Sequence, residues 1–245
     1  MSPSFSPERL EQLAQLEGWH SWFIGRRELI RRLLHDRLGG EGRLVLDVGC
    51  GTGLMVSLVG REPHRAVGLD LRREGLVAAS RRATGSDFVQ AEATRLPLAD
   101  ATFSLVMLLD VLEHVDDQAA LMEVNRVLCP GGLLLVSVPA MQWLWSYRDE
   151  AAGHLRRYSK FQLASLLSQA QLPPTRMVYY HFLLFPMLAL TRLFGRRSPR
   201  ARDFEERRLP VVTTLMTWMN LLEVRLGSRV SYPWGSSLVA ICQKN

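Results

Sequence analysis

The chain has 245 residues, 47% of them hydrophobic and 22% charged, which is the balance of an ordinary folded protein and enough for one large domain or one domain with an appendage. That composition excludes disorder, collagen and coiled coil as global classes. The formal net charge is +6, yet only Lys160 and Lys244 are lysines, leaving 28 arginines. Arginine pairs bidentately with carboxylate and phosphate, so the excess admits anionic substrates, lipid head groups or nucleic acid, with genomic codon bias as the plainer cause.

Residues 1–8 lack the apolar run and cleavage site of a secretory signal. Residues 7–38 pattern as one or two amphipathic helices, with Trp19, Trp22, Phe23 and Ile24 apolar and Arg26, Arg27, Arg31 and Arg32 between Leu29, Ile30, Leu33 and Leu34. They read as a cap on the sheet. From about residue 43, short apolar runs alternate with helical patterns, which predicts an α/β fold with a mostly parallel sheet and helices on both faces. Strands are expected at 44–48, 66–69, 87–90, 103–109 and 133–138. A helix from Asp117 stops near residue 128, before Cys129-Pro-Gly-Gly132. Ser159 can cap a helix to about Gln171, Pro173-Pro174 stops it, and strands follow at 176–182 and 236–244.

This predicts a Rossmann-like, doubly wound, seven-stranded sheet over 43–182 and 236–245, a cap over 1–42, and an insertion over 183–235. The most apolar stretch, 181–194, is broken by Pro186 and Arg192 and is too short for a simple transmembrane helix. Cys50, Cys129 and Cys242 are odd in number and widely spaced, which suits a reducing cytoplasm and offers neither a zinc spacing nor a disulfide framework.

The first strand, Leu44-Val-Leu-Asp-Val48, runs into Gly49-Cys-Gly-Thr-Gly53 and a short helix at 54–59. In an open parallel sheet, ligands bind beyond the carboxyl ends of the strands, where a glycine turn lets the backbone approach them closely. A dinucleotide turn favours Gly-x-Gly-x-x-Gly, whereas in this chain Leu54 stands where the third glycine would fall. Asp70, ending the second strand, suits a ribose in either case. Asp47, inside an apolar strand, is costly to bury unpaired, so it is expected either to order the glycine loop, the favoured role, or to approach the ligand.

The turn, residues 88–106, Leu109-Asp-Val-Leu-Glu-His114 and residues 126–139 together resemble successive motifs of the class I S-adenosylmethionine-dependent methyltransferases, of the kind called type 11. The resemblance runs over 43–140. It implies S-adenosyl-L-methionine as cofactor, with Gly49, Gly51 and Gly53 passing under its methionine part, Asp47 and Cys50 counted with that turn among the cofactor-binding residues, and Asp70 on the ribose hydroxyls. Leu71 would lie against the adenine, Glu92 and Ala93 would meet its amino edge, and Asp110 would stand beside the methionine moiety. Ser104 departs from the aspartate common at its place, with an expected effect on strand-end structure.

Methyl transfer needs a nucleophile aligned with the methyl group and, where it carries a proton, a base; no metal is required by that chemistry itself. His114 is a candidate base or, as the plainer reading, a residue of structural positioning, and His154 is a candidate base or substrate ligand. Trp143-Leu-Trp-Ser-Tyr-Arg-Asp-Glu-Ala-Ala-Gly-His-Leu-Arg-Arg-Tyr158, after the fifth strand, resembles the Gly-His-x-Arg-Arg-Tyr segment of a methyltransferase subgroup. On that resemblance Tyr147 and Tyr158 shape the acceptor pocket and Arg156 or Arg157 pairs with an anionic group. The alternative is a loop pinned by Arg148, Arg156 and Arg157 to Asp149 and Glu150. Arg26 or Arg27 would reach the cofactor's carboxylate, or remain at the surface.

Residues 192–208 hold seven arginines against Asp203, Glu205 and Glu206. Beside the apolar run, this suits a peripheral membrane contact through 181–208, a greasy lid, a dimer face or a buried helix. Nucleic acid is disfavoured, because the Asn-Pro-Pro-aromatic motif of base-methylating relatives is absent. The expected reaction is methyl transfer to a small-molecule or lipid-like acceptor at oxygen. An NAD-linked oxidoreductase and a nonenzymatic cofactor-binding scaffold are the alternatives.

Overall fold

The computed structural model describes residues 7–39, 42–194, 210–227 and 232–245. Helices α1 (Pro7–Leu16) and α2 (Ser21–Leu38) precede β1 (Leu44–Val48), α3 (Leu54–Val59), β2 (Arg65–Asp70), α4 (Arg73–Arg82), β3 (Asp87–Gln90) and β4 (Phe103–Leu109). Then come α5 (Asp117–Val127), β5 (Leu128–Pro139), α6 (Tyr147–Ala152), α7 (Lys160–Gln169), β6 (Pro174–Tyr180), α8 (Phe185–Phe194), α9 (Pro210–Gly227) and β7 (Ser237–Gln243).

The seven strands form one sheet in the order β3-β2-β1-β4-β5-β7-β6, and β7 runs antiparallel to both its neighbours. Consecutive side chains of a strand face opposite ways, and both faces of this sheet are covered. Leu46, Val48, Val106, Leu108, Leu134 and Val136 pack on one face beneath α5 and α7. Val45, Leu105, Met107 and Leu135 pack on the other with α2, α3 and α9. Two covered faces are why these strands read as unbroken apolar runs. The chain leaves β1 towards β2 on one side and returns at β4 on the other, which opens a crevice at their carboxyl ends.

Several expected boundaries move, most of all in β5, β6 and α7. β5 begins at Leu128, directly after α5, because Leu128 pairs with Phe103 before a register shift brings Leu133 opposite Leu105. β6 starts at Pro174, not 176: it is an edge strand, where a first residue without an N–H is tolerated. It stops at Tyr180 because His181 turns to a φ of 64°. α7 is held by a Ser159–Gln162 capping box and ends at Gln169, with Gln171 at a φ of 59°.

The stretch read as an insertion contributes α8 and α9, and α9 packs on α2, with Asn220 Nδ2 donating to the Ser21 carbonyl at 3.0 Å. Cap and insertion therefore share one layer. The buried groups of α9 include Asn220 and Glu223, whose carboxylate accepts the amides of Phe182 and Leu183. Its Val211, Leu215, Trp218, Leu222 and Leu226 are exposed. The arginine cluster at 192–208 lies outside the described residues, apart from the backbone of the last turn of α8.

Candidate functional site

Three glycines shape the turn after β1, each with positive φ: Gly49 at 74°, Gly51 at 53° and Gly53 at 76°. Gly49 and Gly53 are also held by space, since a Cβ would fall 2.5 Å from Val111 Cγ2 and 2.7 Å from Ala79 Cβ respectively. Gly51 is different, because a Cβ there would meet nothing within 4 Å. Its backbone faces open space, as a turn that receives a ligand requires.

The turn's amides are ordered from β2. Gly49 and Cys50 donate to the Leu69 carbonyl at 2.7 and 3.0 Å, Gly53 donates to the Cys50 carbonyl at 2.9 Å, and Gly51 donates to Asp70 Oδ2 at 2.8 Å. The ordering carboxylate is therefore Asp70, which corrects the role expected of Asp47. Asp70 Oδ1 also accepts the Arg72 amide at 2.8 Å. Each carboxylate oxygen carries two lone pairs, so a second acceptor position on each remains for hydroxyl donors.

Asp47 is buried beneath the turn, and its pKa is pushed up to about 7 by burial, partly offset by the charge of Arg26. The Cys50 side chain is buried in the core, and burial raises its thiol pKa, so only its backbone faces the turn. Leu71 and Glu92 are exposed and Ala93 is half-buried, beside the end of β2 where an adenine would lie. Ser104, at the start of β4, donates to the Leu44 carbonyl at 3.2 Å, a strand-end contact.

The N-terminal helices are fastened to this turn. Glu17 accepts the Thr52 hydroxyl at 2.7 Å and pairs with Arg82. Arg26 pairs with Asp110, at the end of β4, and stacks over Trp22 with its guanidinium carbon 4.7 Å from the ring centroid. Asp110, at a φ of 58°, also accepts the Ser137 hydroxyl at 3.0 Å. Arg26 is thus neither a free surface arginine nor available without exchanging a partner.

The other wall is the loop after β5. Asp149 is fully buried and lies 2.8 Å from Arg157 Nε and 3.0 Å from His154 Nδ1, and it accepts the Ser146 amide at 2.9 Å. Arg157 also donates to the Ala140 carbonyl at 3.0 Å. Arg156 pairs with Asp117 at 2.7 Å, and the buried Tyr158 hydroxyl donates to the same carboxylate at 2.8 Å. Arg157 and Tyr158 are buried and Arg156 is half-buried, and the polar groups of all three have partners within the protein. The pinning partners are Asp149 and Asp117, not Glu150. Tyr147 differs from these: its buried hydroxyl has no hydrogen-bond partner among the described residues, so it remains available to an acceptor.

His114 lies on a 3₁₀ turn at 112–114, with its ring centroid 4.8 Å from that of His154. Its pKa is lowered, first by burial and then by the His154 charge. Beside them Glu113 is buried, and neither of its carboxylate oxygens has a hydrogen-bond partner among the described residues. Sequence reading gave no role to Glu113, Glu17 or Thr52, and named Asp149 only as a pinning partner of the arginines. The Glu17–Thr52 and Arg26–Asp110 contacts join residues 35 and 84 apart, which no local signal announces.

Residues 46–136 match the methyltransferase domain family. A probable S-adenosylmethionine-dependent methyltransferase of Mycolicibacterium smegmatis is 34% identical over 152 residues, covering 61% of this chain and 58% of its own length. A ubiquinone biosynthesis O-methyltransferase of Psychrobacter arcticus is 35% identical over 108 residues, covering 41% of this chain and 42% of its own length. The chain thus spans about half the length of these curated relatives. The crystal structure of an S-adenosylmethionine-dependent methyltransferase of Thermotoga maritima superposes with a TM-score of 0.62 at 16% identity, covering 98% of this chain and 97% of that one, a likeness of fold. The open turn at Gly51 and the acceptor positions left on Asp70 fit the cofactor of that family, and the oxidoreductase alternative falls. Residues 46–136 are a methyltransferase domain of the class I S-adenosylmethionine-dependent family.

Proposed function

We propose that this chain moves the methyl group of S-adenosyl-L-methionine to an oxygen of a small-molecule or lipid-like acceptor. The observation that carries the reading is the glycine turn, open at Gly51 and ordered by Asp70, with the His114–His154 pair in the segments after β4 and β5 on the same carboxyl edge of the sheet. The bound cofactor would supply a methyl group on a positively charged sulfur, a leaving group that needs no protonation. Gly49, Gly51 and Gly53 hold its methionine part, Asp70 its ribose, and Leu71, Glu92 and Ala93 its adenine. The cap closes this end through Glu17–Thr52 and Arg26–Asp110, so Arg26 is positioned to exchange Asp110 for the cofactor's carboxylate.

The acceptor enters at the other end, past Tyr147. His154 and His114 meet its nucleophilic oxygen, either directly as base or through a bound ion. The O-methyltransferase relative supports oxygen as the atom, and its part in ubiquinone biosynthesis supports a lipid-like acceptor. The test is transfer of labelled methyl from S-adenosylmethionine into fractionated polar and lipid extracts, beside calorimetry with the cofactor and its demethylated product. Label entering an oxygen-methylated product is expected. Tight cofactor binding with no labelled product would favour the scaffold reading.

α9 favours contact with a membrane surface. It buries Asn220 and Glu223 while exposing Val211, Leu215, Trp218, Leu222 and Leu226, an apolar stripe at helical spacing turned outwards. The arginine-rich 192–208 precedes it in sequence, and apolar burial and attraction to anionic lipid add at an interface. No helix among the described residues is long and apolar enough to cross a membrane; the contact proposed is a peripheral one, at the inner face of the membrane. Co-sedimentation with anionic liposomes at low salt, lost in Trp218→Glu, is expected; no binding at low salt would overturn it.

A further inference from the structure

We propose that Glu113, His114 and His154 form a binding site for a divalent first-row transition-metal ion at the acceptor end of the crevice. One ligand atom from each residue lies within 4.8 Å of the others. Two segments 40 residues apart are fastened together to make the group, since the Leu155 amide donates to the Glu113 carbonyl at 2.8 Å.

Two further observations point to a ligand. Glu113 is 1% exposed and carries two buried carboxylate oxygens without hydrogen-bond partners among the described residues, a costly arrangement for a carboxylate that nothing coordinates. Both imidazoles are also oriented as metal ligands are. His154 Nδ1 lies 3.0 Å from Asp149 Oδ1, and His114 Nδ1 lies 3.3 Å from the Gly153 carbonyl. A carboxylate or carbonyl acceptor at Nδ1 places the proton there, which makes Nε2 the nitrogen suited to coordinate an ion.

Two imidazoles and one carboxylate suit zinc, iron(II) or manganese more than magnesium or calcium, and three protein ligands leave positions open. Bonds of about 2.0–2.1 Å bring tetrahedral ligand atoms to roughly 3.4 Å from one another, so the group closes by small side-chain rotations when it binds. No local spacing reveals the site, because His154 lies 40 residues beyond the Glu-His pair. The binding stands apart from the methyl-transfer reading. Its use, holding an acceptor oxygen as a Lewis acid, rests on that reading.

The test is calorimetric titration of the chelator-treated full chain with Zn²⁺, and with Co²⁺ followed by visible absorption. One ion per chain is expected, with affinity lowered at least about 100-fold in His154→Ala and Glu113→Gln, beyond the 10–100-fold typical of losing an outer-shell partner. Thermal unfolding of each variant checks that it is folded, and His154→Gln provides a near-isosteric second variant. Cys129→Ser should bind as the parent does. Ion binding without cofactor binding would support the site while overturning the methyl-transfer reading. Parent affinity no better than that of the His114→Ala/His154→Ala double variant, or binding lost in Cys129→Ser, would overturn the site.

Discussion

Two carboxylates, Asp47 and Asp149, are buried almost completely on opposite walls of the crevice, with 3% and 1% exposure, yet they are treated in opposite ways. Asp149 is surrounded by donors: the Arg157 guanidinium, His154 and the Ser146 amide. Asp47 makes no salt bridge among the described residues and is offset only by the charge of Arg26 at longer range. One wall is a side-chain network that needs its charges. The other is a backbone turn, ordered by Leu69 and Asp70, that tolerates a buried carboxyl by keeping it protonated to higher pH. The difference separates what holds the acceptor loop together from what holds the cofactor turn.

The largest effect should come from breaking the paired wall. Arg157→Ala leaves Asp149 buried without its guanidinium, and removing one partner of a buried pair costs about 3–5 kcal/mol. The urea midpoint should fall accordingly, so lost turnover in this variant would report a loosened loop, not a missing substrate contact. A midpoint near the parent's would show that the loop is not held by this pair.

The unpaired wall should show itself in pH. Below the ordinary aspartate pKa near 4, folded and unfolded chains both carry the Asp47 proton, and burial costs no ionisation. As pH rises towards 7 the unfolded chain ionises first while the folded chain keeps its proton. Stability is therefore present at low pH and lost through this window, by about 4 kcal/mol in all. Asp47→Asn removes the ionisation and should remove this part of the decline between pH 4 and 7. An unchanged slope would place the burial cost elsewhere.

The two walls also differ in how much of them can be read from sequence. β1, β3 and β4 fall at the residues expected, because covered strands are short apolar runs with turn residues at their ends. The glycine turn is local and legible with them. Which carboxylate orders it is not, since Asp47, the last residue but one of β1, and Asp70, the last of β2, both lie close to the turn and only the β1–β2 register brings Asp70 beneath Gly51. The loop after β5 announces its charged residues but not their pairing. Asp149 and Glu150 are neighbours in sequence, and only α6 and its capping box turn Asp149 inwards and leave Glu150 exposed. Asp117 is 39 positions from Arg156, beyond the reach of any local pattern.

Within the turn, the comparison narrows to two glycines. Gly53→Ala would add a Cβ 2.7 Å from Ala79 at a φ of 76°, combining left-handed strain with overpacking for a loss of about 2–4 kcal/mol. Gly51→Ala is the smaller and sharper change. Its φ is 53° and its Cβ meets nothing, so only the left-handed strain of about 1–2 kcal/mol applies to the fold. The same methyl group, however, points into the space proposed for the methionine part of the cofactor. S-adenosylmethionine affinity, measured by calorimetry, should drop at least about tenfold, or about 1.4 kcal/mol, while the protein remains folded. If Gly51→Ala binds the cofactor as the parent does, the open face of the turn is not where the cofactor lies, and the wall ordered by Asp70 is structural alone.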